Sequence, residues 1–61
     1  MPMIRVEMYE GRTIEQKREL AEVMTRESCR ILKCAPEQVQ IVFENRSREN
    51  WAIGGKLASD N

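Results

Sequence analysis

Two positions near the start of the chain carry groups suited to proton transfer on an organic acid. The first is Pro2. Removal of Met1, which a small second residue favours, leaves the Pro2 nitrogen as a free secondary amine. An α-amino group ordinarily titrates at about 7.7–8.0. Burial or a neighbouring cation disfavours the ammonium form and lowers that value. A shift of about one unit makes the neutral amine the majority species at neutral pH, and a base poised there contributes roughly 10²–10⁴-fold to proton transfer. The pyrrolidine ring fixes φ and confines the lone pair to few directions. The second position is Arg12, in the turn Glu10-Gly11-Arg12 just ahead of an expected helix N-terminus. A guanidinium beside unpaired helix N–H groups suits a carboxylate.

Other chemistries fall away by subtraction. The chain has no His, which removes the ordinary Ser-His and Cys-His nucleophile pairs. No glycine-rich phosphate loop or dinucleotide fingerprint is present, and no paired-cysteine metal motif, so no cofactor and no metal is expected. Ten basic residues balance ten acidic ones at zero formal charge, which argues against nucleic acid as a partner. Arg46 and Arg48 form the only short basic cluster, and Glu44 and Glu49 flank it, as in a solvated loop. No apolar run is long enough to span a membrane, and the charged first twenty residues exclude a secretory leader. A cytoplasmic, reducing location is the default expectation. Cys29 and Cys34 are five residues apart, about 140° around a helix, which suits neither a bridge nor a shared metal. Both are expected to be packing residues.

The elements that must position Pro2 and Arg12 are few, because 61 residues make one domain. Residues 3–9 alternate, with Ile4, Val6 and Met8 on one face and Met3, Arg5, Glu7 and Tyr9 on the other, so a half-buried strand is predicted. Thr13 and Gln16 have capping-box spacing and start a helix predicted over residues 13–33. Leu20, Ala21, Met24, Ser28 and Ile31 share its apolar side. Pro36 stops it, and residues 35–38 suggest one short turn. A second strand is predicted over residues 39–44, with a polar loop over 45–50. Trp51-Ala52-Ile53, Gly54-Gly55 and Lys56-Leu57-Ala58 suggest a tight hairpin. The order β-α-β implies a parallel strand pair with a right-handed helical crossover. So short a chain buries too little surface to be secure alone, and oligomerisation is the expected remedy.

MPMIRVEMYEGRTIEQKREL, the later Ala35-Pro36 and the segment ENWAIGGKLAS together resemble the 4-oxalocrotonate tautomerase family over nearly the whole chain. The resemblance implies an α+β fold: a β-α-β protomer with a parallel strand pair, one long helix and a short C-terminal hairpin. It further implies sheets joined in dimers and three dimers in a hexamer, with sites assembled from more than one subunit. Pro2, freed of Met1, is implied as the general base. Arg12 is implied to bind substrate carboxylate, and Trp51 to wall the pocket and keep the proline amine neutral. The implied reaction is enol–keto tautomerisation of an unsaturated 2-hydroxy acid, a chemistry that some relatives use in aromatic-compound catabolism.

One departure bears on substrate. Relatives active on dicarboxylates carry a second arginine on the second strand, where this chain has Gln40. A neutral hydrogen bond is worth about 1 kcal/mol against roughly 1.5–3 for a charge-assisted one. The expectation is a weaker preference for diacids, or a monoacid substrate, unless Arg5, Arg46 or Arg48 of a neighbouring subunit takes the role. Two other functions stay open. One is water addition to an unsaturated acid on the same proline, as in the family's hydratases and dehalogenases, with Glu7 or Glu49 as candidate water-activating carboxylates. The other is a non-catalytic structural oligomer.

Overall fold

A computed structural model describes residues 1–60. Strand β1, Met3–Tyr9, leads through a turn at Gly11 (φ 117°) into helix α1, Ile14–Leu32. The turn conformation is one that side chains with a Cβ rarely adopt. The predicted capping box is present: Gln16 N–H donates to Thr13 Oγ1 (3.1 Å), and Thr13 N–H donates to Gln16 Oε1 (2.9 Å). A 3-10 turn, Pro36–Gln38, then leads into β2, Gln40–Arg46. A second 3-10 turn, Arg48–Asn50, precedes the hairpin of β3, Ala52–Ile53, and β4, Lys56–Leu57, and a last 3-10 turn covers Ala58–Asp60.

β1 and β2 pair in parallel from Met3↔Gln40 to Tyr9↔Arg46. Ile4↔Ile41 and Val6↔Phe43 share the half-buried face. β2 runs two residues past its predicted end, because Asn45 and Arg46 pair with Met8 and Tyr9 although their side chains show no apolar alternation. The predicted loop over 45–50 therefore shrinks to Ser47 and the 3-10 turn.

The far face carries a small ionic network. Glu7 and Glu44 are direct cross-strand partners, an arrangement that alone repels. Arg5 pairs with Glu44 (2.9 Å), while Arg46 pairs with Glu44 and with Glu7 (3.3 Å), so two cations offset the two carboxylates. These groups are partly exposed, and in an isolated chain each such pair adds little stability.

α1 ends on Lys33, whose left-handed backbone (φ 57°) lets its N–H donate to Cys29 O (3.0 Å). The turn folds Cys34 back beside Cys29, as hydrophobic neighbours often meet at such helix ends. The separation of about 140° expected for a continuing helix fails because the chain leaves the helix at Lys33. Both thiols are free and half-buried.

No described residue is fully buried. The chain exposes 4927 Å², where a compact monomer of this mass exposes about 4,100 Å². Its radius of gyration is 14.7 Å, against about 10.5 Å for a compact domain of this length. Ala21, Met24 and Ser28 are half-buried as predicted, but Leu20 and Ile31 of the same stripe stand exposed because a two-stranded sheet is narrower than the helix face. The hairpin forms a separate two-stranded sheet and leaves β1 and β2 each with an outer edge unpaired among the described residues. Open edges and an uncovered apolar stripe are what association with further chains would cover. No helix among the described residues is long and apolar enough to cross a membrane.

Candidate functional site

Pro2 lies half-buried immediately before β1. Its carbonyl accepts the backbone N–H of Gln40 (3.0 Å), which pins the proline to the start of β2. With Met1 attached the Pro2 nitrogen is an amide and has no basic lone pair, so chemistry there requires the initiator's removal. The same hydrogen bond places Gln40 beside Pro2. The backbones of Pro2 and Gln40 thus lie together at the end of the sheet where both strands begin.

Arg12 and Trp51 lie at the other end. β1 advances about 3.3 Å per residue, so Met3 and Tyr9 are separated by about 20 Å along the strand. Arg12 follows three residues later, and α1 begins there before running back along the sheet. Within one chain Arg12 cannot meet Pro2. Arg12 and the first turn of α1 are exposed, with Glu15 the acidic residue of that turn.

Around this second end the aromatic residues gather. The Trp51 and Tyr9 rings meet edge to face, centroids 4.7 Å apart and planes at 61°. The Arg48 guanidinium lies over the Tyr9 ring, 4.3 Å from its centroid. Glu10 N–H donates to Arg46 O (3.0 Å), so the chain segments leading to Arg12 and to Arg48 leave the sheet side by side. Ala58 N–H donates to Trp51 O (2.7 Å) and ties the end of the hairpin back to the aromatic pair. Tyr9 and Arg48 were not marked by spacing as partners of Trp51. Strand alternation places Tyr9 on the far face but cannot say that Trp51 folds onto it.

The other candidates separate clearly. Glu7 pairs through one carboxylate oxygen with Arg46 (3.3 Å) at an exposed position. Open grooves follow the exposed flanks of α1, one of about 560 Å³ lined by Ala21, Thr25, Cys29 and Pro36 among others. None of their lining residues is Pro2, Gln40, Arg12 or Trp51. Partial burial, the adjacent Cys34 thiol and the Glu37 charge push the Cys29 thiol above its ordinary pKa, which disfavours the thiolate.

The chain is thus a short β-α-β unit with Pro2 and Arg12 at opposite ends of a parallel strand pair. The family model for tautomerase enzymes matches residues 2–61. A 2-hydroxymuconate tautomerase of Bacillus subtilis (strain 168) is 37% identical over 60 residues, spanning 98% of this chain and 97% of that one. The crystal structure of a 4-oxalocrotonate tautomerase homologue superposes with a TM-score of 0.94 at 38% identity, covering 100% of this chain and 97% of that one. A heterohexamer 4-oxalocrotonate tautomerase from Chloroflexus aurantiacus J-10-fl superposes with a TM-score of 0.90 at 27% identity, covering 98% and 97%. The chain belongs to the tautomerase family.

Proposed function

We propose that the chain is a cofactor-independent isomerase that interconverts the enol and keto forms of a 2-hydroxy-dienoate, with the Pro2 amine as general base. The observation that carries this reading is the family match, which begins at Pro2. The pinning of that residue at the open start of β1 supports it. Pro2 nitrogen takes the proton of the 2-hydroxyl as electrons move along the conjugated chain, and returns a proton to a distant carbon. Arg12 holds a carboxylate and draws electron density toward its end of the substrate. Trp51 closes one wall and limits water, which keeps the ammonium form of Pro2 unfavourable.

Because Pro2 and Arg12 are about a strand length apart, a complete site takes Pro2 from one chain and Arg12 with Trp51 from another. Antiparallel association of two sheets brings opposite ends together, and the unpaired strand edges offer the means. A homohexamer is the assembly we assign, three such dimers covering the exposed apolar stripe; the heterohexamer relative is a precedent for six chains.

The test uses a 2-hydroxy-2,4-dienoate whose ketonisation is followed by absorbance. Protein beginning at Pro2, verified by intact mass, turns it over, and the same protein N-acetylated on Pro2 does not. Turnover that survives complete acetylation removes Pro2 as the base. Ketonisation rising with deprotonation of one group on the free enzyme fits the base role, whereas a rate that falls points to the acid role required for water addition.

A further inference from the structure

We infer that Cys29 and Cys34 form a redox-active dithiol, a modification site at which a hydroperoxide closes a reversible disulfide within one chain. The site lies at the end of α1, and the inference is independent of the tautomerase reading.

The helix end builds the pair. Lys33 takes the left-handed conformation (φ 57°), and its N–H donates to Cys29 O (3.0 Å). Counted from that left-handed residue, Cys29 is the third residue of the last turn and Cys34 is the first residue after the reversal. Side chains at those two positions commonly meet where a helix ends in this way. Here they do, with the two thiols in side-chain contact. A disulfide needs Cα atoms about 4.4–6.8 Å apart. One helical pitch, about 5.4 Å, is the scale on which the reversal returns Cys34 over the last turn. Both sulfurs are free and half-buried, so neither is sealed in a core.

Access supplies the second argument. The groove of about 560 Å³ on the flank of α1 is lined by Cys29 and by Pro36 of the following turn. Around the helix axis Cys29 stands about 180° from Leu20 and about 160° from Ile31. Those two are exposed members of the apolar stripe. Association that covers the stripe therefore leaves the thiol flank open to a small oxidant.

The chemistry balances with the peroxide as the only oxidant. Burial, Cys34 and the Glu37 charge disfavour the Cys29 thiolate, so Cys34 attacks first. Its thiolate takes one peroxide oxygen, the O–O bond breaks, and hydroxide leaves; Cys34 becomes a sulfenic acid. Cys29 then attacks the Cys34 sulfur and gives up its proton. The S–S bond forms, the S–O bond breaks, and water leaves. Two thiols have lost two electrons and two protons, and the peroxide has become two waters. The bridge closes the segment from Cys29 to Cys34 and restrains the crossover into β2. That crossover leads to Gln40, whose N–H is bonded to Pro2 O (3.0 Å).

The experiment treats the reduced full-length protein with one equivalent of hydrogen peroxide and reads intact mass, a non-reducing peptide map and amide exchange. The chain should lose about 2 Da, the mass of two hydrogens. The map should join Cys29 to Cys34 of the same chain, and dithiothreitol should restore the starting mass. Exchange over residues 34–40 should slow in the bridged form. Cys29→Ser should lose the bridge and stop at a Cys34 sulfenic acid that dimedone traps. Disulfides between chains, oxygen added to the wild type without a bridge, or an unchanged chain while glutathione in a parallel tube is oxidised would each overturn the inference. A bridge that leaves exchange over 34–40 unaltered overturns the restraint on the crossover.

Discussion

Mixing two inactive forms of the chain should restore activity. One form is Arg12→Ala, with a free Pro2 amine. The other is a synthetic chain that starts at N-acetyl-Pro2 and keeps Arg12. Each alone gives sites with one defect, whatever the assembly. The strand separating the two groups spans about 20 Å, so each site must draw them from different chains. In a one-to-one mixture unfolded and refolded together, a site has a free Pro2 with probability about one half and an intact Arg12 with probability about one half. About a quarter of sites are then complete in a randomly assembled symmetric oligomer. Ketonisation of a 2-hydroxy-2,4-dienoate should recover to about a quarter of the rate of the same amount of wild-type protein. The assay needs only the refolded mixture and, as controls, the two forms refolded separately and mixed afterwards. Recovery no greater than in those controls, with mixed oligomers shown to be present, would refute the shared site and with it the placement of Arg12 opposite Pro2.

Three further outcomes follow from particular residues. Gln40→Arg adds a cation beside Pro2 and should raise kcat/KM for a dicarboxylic 2-hydroxydienoate about tenfold over wild type, the gap between charged and neutral hydrogen bonds; an unchanged mono-to-diacid ratio would separate Gln40 from the site. Thr13→Ala removes the acceptor of the Gln16 N–H bond and should cost about 1 kcal/mol in chemical denaturation at fixed protein concentration, whereas no change would mean the cap is redundant in the assembled protein. Iodoacetamide should alkylate Cys29 more slowly at neutral pH than an ordinary free thiol, the rate climbing only as pH passes the usual thiol range, because burial, Cys34 and Glu37 raise its pKa. The linkage has the same sign: a raised folded pKa gives stability that is present below the unfolded value and lost as alkali takes pH through the folded one. Rapid labelling at neutral pH would contradict it.

Much of this architecture is legible in the sequence, for reasons that differ by element. Alternation over Ile4, Val6 and Met8 reveals β1 because one face is covered and the other is not. Thr13 and Gln16 mark the helix start because their side chains satisfy each other's backbone N–H groups. Arg46 belongs to a strand through backbone pairing with Tyr9, which leaves no trace in its own polarity. Lys33 turns left-handed without being glycine, so the nearness of Cys34 to Cys29 has no marker in the spacing. The cluster of Tyr9, Arg48 and Trp51 is the deepest case. Its members come from β1, a 3-10 turn and the residue before the hairpin, and only the folded chain sets a cation on one ring and that ring on the next. Pro2 and Arg12 are readable as candidate groups, whereas their placement about a strand length apart is set by β1 in the folded chain.

The most direct test is the titration of the Pro2 amine in the assembled protein, by nitrogen NMR on chain labelled at proline. A pKa clearly below the ordinary α-amino range of about 7.7–8.0 is expected, and the kcat/KM profile for ketonisation should rise through the same value. An amine that stays protonated to or beyond that range, in protein shown to begin at Pro2 and to turn over its enol at neutral pH, would contradict the assignment of Pro2 as the base.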